Sequence, residues 1–136
     1  MSAIAAQRAR FAATAMTTAS PQALLVMLYD RLVLDLQRAE LVQRGGDHAG
    51  ANLQLQHAQD IVGALADALD TGAWDGGPGL ASLYTWLVTE LVQANVTRDA
   101  DRTAACRAIV VPLRDAWREA ASGSTAPAPA GVQVTA

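Results

Sequence analysis

The sequence predicts an all-α protein: an antiparallel up-and-down four-helix bundle with a flexible N-terminal arm and a disordered C-terminal tail. Three observations predict it. Apolar residues recur at steps of three and four in separate segments, the spacing of one helix face. Capping residues and glycines bracket those segments. No run alternates apolar and polar residues cleanly, and no hairpin dipeptide joins two such runs, so strands are absent from the reading. Composition agrees. Hydrophobic residues are 51% of the 136 and aromatics only 4%, so the core must be built mostly from Leu, Val and Ala, as helical packing allows.

Residues 1–19 are rich in Ala and Thr and weakly patterned. They read as a mobile arm with three apolar beads, Ile4, Phe11 and Met16. The bundle occupies residues 20–121. Its first helix starts at Ser20, a good N-cap, with Pro21 at the first helical position. It runs to about Arg44 and stops at Gly45-Gly46. The second starts near Asp47 or His48 and reaches about Asp70, before Gly72. Its apolar stripe is Leu55, Ala58, Val62, Leu65 and Leu69. "GAWDGGPG" reads as the one substantial loop. The third helix is expected from about Leu80 to Asn95, with Leu80, Leu83, Tyr84, Leu87 and Leu91 facing inward. The fourth starts near Asp99 or Asp101 and ends near Ala121, carrying Cys106, Ile109, Val110, Leu113 and Trp117. Pro112 inside it removes a backbone hydrogen bond and should bend it. The end, "SGSTAPAPAGVQVTA", has Pro, Gly and Ser and no charge, cannot form a core, and residues 122–136 read as disordered.

The same reading excludes several functions. The net charge is -3 and no basic block stands out, which argues against nucleic-acid binding. A single cysteine, Cys106, precludes an internal disulfide and reads as a small core residue in a reducing compartment. No segment approaches the roughly 20 apolar residues of a membrane span. Polar residues interrupt the stretch after Arg8 and Arg10, so a cleaved signal peptide is not expected, and the cytoplasm is the default location. A di-metal carboxylate site needs Glu-x-x-His pairs, and neither His48 nor His57 has a Glu three residues before it. No Gly-rich loop joins a strand to a helix, and no nucleophile motif is present, so neither an enzyme nor a cofactor is expected. His48 and His57 read as solvated helix residues. Arg107, Arg114 and Arg118, beside Asp115 and Glu119, read as a mixed-charge solvated face.

One feature of the first helix is left over. At about 100° per residue, Leu25, Leu28, Leu32, Leu36 and Ala39 share a broad inner face, with Tyr29 and Val33 at its edge. Met27, Leu34 and Leu41 form a second series at seven-residue spacing, well off that face. Leu53 on the second helix and Trp86 on the third also lie off their stripes. Such residues either complete the core of a bundle buried on two sides, or are scattered exposed apolars, or line an outer groove that accepts an amphipathic helix.

Several stretches carry a family likeness. "TASPQALLVMLYD", "AQDIVGALADALD", "LASLYTWLVTELVQAN" and "LRDAW" follow one another in order over roughly residues 16–121. Together they resemble the four helices of the flagellar secretion chaperones of the FliS type. The resemblance implies a cytoplasmic four-helix bundle that binds the C-terminal segment of flagellin. Such a chaperone keeps flagellin from polymerising before export and delivers it to the flagellar secretion apparatus. By resemblance, Tyr29, Asp30, Leu83, Tyr84, Ala94 and Asn95 are signature positions, and the N-terminal arm can cover the binding surface and move aside. Arg31 stands where the family usually has Gly, and Thr89 and Glu90 where it often has basic residues. The expected flagellin groove is Met27, Leu34, Leu41, Leu53 and Trp86, with Ile4, Phe11 and Met16 as cap anchors. Other flagellar export components are further candidate partners. The alternative is a self-associating structural or scaffold bundle that uses the same apolar surface as a homodimer interface.

Overall fold

The computed structural model describes residues 3, 4 and 20–123. Four helices follow in order: α1 (Pro21–Arg44), α2 (His48–Ala68), α3 (Gly77–Val96) and α4 (Ala100–Ala121). Among the described residues there is no strand.

The termini follow local chemistry. Ser20 Oγ accepts the Ala23 N–H, and Asp47 Oδ1 accepts that of Gly50, so each satisfies a donor the first turn leaves unpaired. Asp99, rather than Asp101, caps α4 and accepts from both Asp101 and Arg102. α1 ends where Gly46 takes φ +82°, a left-handed conformation that lets the Asp47 N–H reach back to the Val42 carbonyl. α3 ends the same way, but the left-handed position is held by Arg98 at φ 56°.

Two boundaries differ from expectation. α3 begins at Gly77, three residues before Leu80, because Pro78 suits a first helical turn and does not block it. Gly77 is needed there: a Cβ would sit 2.6 Å from the Thr71 carbonyl oxygen. α2 stops at Ala68, short of Asp70, with Leu69 extended and the Asp70 carboxylate turned to the Gly72 N–H. α4 runs unbroken through Pro112, which lies on an exposed side where water can serve the freed carbonyl.

α1 packs against α2 and α4, and α3 packs against the same two helices, while α1 and α3 occupy opposite corners. Cross-links fix the directions. Tyr29 and Gln43 of α1 reach Tyr84 and Ala94 of α3, in the same chain order. Asp30, Glu40 and Arg44 reach Arg118, Arg107 and Asp101 of α4, in reverse order. The helices therefore alternate up and down. The core is Leu32, Leu36, Leu55, Val62, Leu65, Leu87, Leu91, Val110 and their neighbours, all essentially inaccessible. Leu25, Leu28, Leu69, Leu80, Leu83 and Leu113 pack around it, partly buried.

Candidate functional site

The core closes without the second series on α1. Met27 is 40% exposed, Leu41 74%, and Leu34 half-buried between them. On a helical wheel the three lie opposite the buried stripe, so they point straight out from the bundle. Leu53 on α2 is 68% exposed and Trp86 on α3 is 40% exposed. These five do not line one groove. Leu41 and Leu53 stand on either side of the short α1–α2 turn, at one end of the bundle. Trp86 belongs to α3, which sits diagonally across from α1. Outer faces of diagonal helices look away from each other, so the apolar surface is two separate strips. Wheel arithmetic on single helices sees an angle and not a neighbour. Two further exposed residues on α3, Val92 and Val96, were absent from the sequence reading. Their wheel positions on the outer face were the available signal. Of the proposed cap anchors, Ile4 is exposed, and Phe11 and Met16 lie outside the described residues.

The signature positions are placed differently, at helix–helix contacts. Tyr29 and Tyr84 hydroxyls meet in the core at 2.7 Å. Burial pushes the pKa of both phenols upward, so they stay neutral and share one hydrogen bond. The Tyr29 ring also packs on Trp117, with centroids 6.3 Å apart. Asp30 accepts from Arg118 at 2.5 Å and faces Arg114 at 3.8 Å. The Ala94 carbonyl accepts from Gln43 Nε2, and Gln43 Oε1 accepts from the Thr103 hydroxyl. That chain ties three helices together inside the core. Asn95 donates to Asn52 Oδ1 at 2.7 Å, joining α3 to α2. Leu83 packs, half-buried, against the core.

Two readings of the charged residues need correction. His57 is not simply solvated: its Nδ1 bonds the carboxylate of Asp35, which is fully buried in α1 and also accepts from Arg31. His48 is partly buried, and its Nδ1 is shielded without a partner. A buried carboxylate one turn from an apolar stripe was not legible, because its partner comes from another helix. The arginines of α4 are likewise more than a solvated face. Arg107 donates to Glu40 at 2.6 Å, and Arg118 and Arg114 reach Asp30. The Arg107 hydrogen bond holds the Glu40 carboxyl below its ordinary pKa. Cys106 is buried, and burial pushes its thiol up to about 11, so it is a poor nucleophile. No group of His, Cys, Asp and Glu among the described residues could hold a metal ion. No described helix is long and apolar enough to cross a membrane.

The structure thus offers a framework of signature residues and an outside with unpartnered apolar strips. The sequence profile described as "Flagellar protein FliS" matches residues 3–124, nearly the whole chain. The chain belongs to the FliS family. A flagellar secretion chaperone FliS from Escherichia coli (strain K12) is 32% identical over 108 residues, covering 78% of this chain and 79% of the relative. The Bacillus subtilis (strain 168) FliS is 29% identical, over 76% of this chain and 77% of its own. The Salmonella typhimurium (strain LT2) FliS is 28% identical, over 78% and 80%. This FliS-family chain is therefore similar, over most of its length and most of theirs, to flagellar secretion chaperones.

Proposed function

We propose that this protein is a cytoplasmic flagellar export chaperone. It binds the disordered C-terminal segment of flagellin, keeps it from polymerising early, and delivers it to the flagellar secretion apparatus. The observation that carries the reading is the outward strip Met27–Leu34–Leu41 on a bundle whose core is complete without it. A fold does not need that strip; a client does. Family membership supplies the kind of client.

The mechanism needs no nucleotide. A client segment that is unfolded when free folds as it binds, and its apolar side chains leave water together with the strip. Burial supplies about 25 cal/mol per Å² of apolar area, against the cost of ordering the client. The α1 strip spans about 21 Å, the length of four helical turns. A client that also uses Trp86 must pass around the bundle, because α3 is on the far corner.

Replacing Met27, Leu34 and Leu41 together by Gln tests this. Calorimetry with a flagellin C-terminal segment should show binding to the native chain and a loss of at least about a hundredfold in the variant, with helicity retained. Retained affinity would remove the α1 strip from the site. A native chain that ignores flagellin and runs as a tight dimer in light scattering would favour the scaffold reading instead.

A further inference from the structure

Arg38 is the exception among the charges of α1. Asp30 pairs with Arg118 and Arg114, Arg31 with Asp35, and Glu40 with Arg107 and Arg44, which also reaches Asp101. Arg38 is exposed and has no hydrogen bond or ion pair among the described residues. Its own helix denies it one. The positions three and four residues away, where an acid could reach it, hold Leu34, Asp35, Leu41 and Val42. Asp35 is fully buried and already held by Arg31 and His57. Counting from the Asp35–His57 contact along antiparallel α2, the stretch level with Arg38 is residues 53–56, which contains no acid. On a helical wheel Arg38 lies about 40° from Leu34 and about 60° from Leu41, so it borders the outward strip on the α2 side. Its aliphatic stem extends the apolar surface and its head stays in water at the rim. The opposite rim carries Asp30, whose charge is answered by its arginines. The strip is therefore apolar with one unanswered charge, and that charge is positive.

We infer that Arg38 is a specificity-determining residue of the α1 strip: it pairs with a side-chain carboxylate of the client helix and so sets which way that helix lies. The inference rests on the chaperone reading and deepens it. Apolar contacts along a strip tolerate sliding and reversal; a charge at one point of the rim does not. Arg38 is well placed for this because it is off centre, about 16 Å along the helix from Met27 and about 4.5 Å from Leu41. A client helix in the right direction brings its acid opposite the guanidinium, whose planar fork suits a carboxylate. A reversed helix carries the acid to the Met27 end, where Arg118 and Arg114 are already taken by Asp30. The carboxylate belongs to a side chain rather than to a chain end, because Arg38 lies between Leu34 and Leu41. A client that covers the whole strip passes it in mid-helix.

Two variants, Arg38→Gln and Arg38→Glu, test the pairing beside the triple Gln variant of Met27, Leu34 and Leu41. Circular dichroism checks that helicity is unchanged. The readout is affinity for a flagellin C-terminal segment, measured from low to high salt. Arg38→Gln should weaken binding about threefold to tenfold at low salt, and the difference should shrink at high salt. Arg38→Glu should weaken it further, and exchanging one Asp or Glu of the segment for Lys should restore it. Native affinity and native salt dependence in Arg38→Gln, with binding lost in the triple variant, would overturn the pairing and leave the chaperone reading standing. A loss in Arg38→Gln that salt does not diminish and no Lys exchange repairs would overturn it too, by showing that only the stem packs. Weaker binding of a C-terminally amidated segment by the native chain, but not by Arg38→Gln, would move the partner to the chain end and overturn the side-chain assignment. A native chain that does not bind flagellin at all would overturn both readings.

Discussion

The α1–α4 seam and the outer face of α3 use polar residues in opposite ways. Along the seam, Asp30, Glu40 and Arg44 of α1 meet Arg118, Arg107 and Asp101 of α4, so charge on one helix is answered by charge on the next. On the outer face of α3 the hydroxyls of Ser82, Thr85 and Thr89 each return to the carbonyl one turn back. The first arrangement fixes which helices are neighbours and in which direction. The second ties three side chains to their own helix and links no neighbour. A count of polar residues therefore misjudges both: charges that look solvated are spent between helices, and hydroxyls that look available are not.

The difference can be probed by experiment, beginning with the two sides of α3. Leu87 faces the core and is 1% exposed. Leu87→Ala should lower stability by about 2–5 kcal/mol in urea denaturation, through lost burial and a residual cavity. Thr89→Arg, two residues on and on the opposite side, should stay within about 0.5 kcal/mol. Similar costs at the two positions would mean that the outer face is packed after all.

A smaller effect is expected at the end of α3. Arg98 holds a left-handed conformation that glycine takes at the end of α1. Arg98→Gly should raise stability by about 1 kcal/mol, because the Cβ strain disappears. A drop in the urea midpoint would show that the guanidinium makes up for that strain.

The seam itself should give the smallest signal, and it depends on pH. The Glu40 carboxyl is held below its ordinary value, chiefly by the Arg107 hydrogen bond. A depressed carboxylate contributes stability above its unfolded pKa, near 4.3, and loses it as pH falls through the lower folded value. The native chain should therefore lose more stability than Glu40→Gln between about pH 5 and pH 3. The excess should be under about 1 kcal/mol, since the pair is partly exposed and screened, and it should shrink in high salt. Parallel pH profiles in thermal melts would show that the ion pair contributes nothing to this end of the seam.

Much of the bundle was legible before the structure. Ser20, Asp47 and Asp99 are local signals: Ser20 caps the helix it was expected to start, and Asp47 and Asp99 are each one of the two starts the sequence offered. The inner stripes were also legible, since a 3.6-residue period marks which side of a helix is apolar. "GGPG" misled because proline reads as a breaker and also suits a first turn, and only the packing of Gly77 on Thr71 chooses between them. The candidate site was half legible: Met27, Leu34, Leu41, Leu53 and Trp86 were picked out as surplus, yet their division between diagonal helices was not.

The sequence by itself determined four helices, the cap of the first, their inner faces and a surplus of apolar residues, because these depend on neighbours within a turn or two of the chain. Only the tertiary structure decided that Tyr29 meets Tyr84, that Asp35 is buried against His57, and that α1 and α3 stand at opposite corners. Those outcomes join residues tens of positions apart, through hydrogen bonds and helix contacts that no local period encodes.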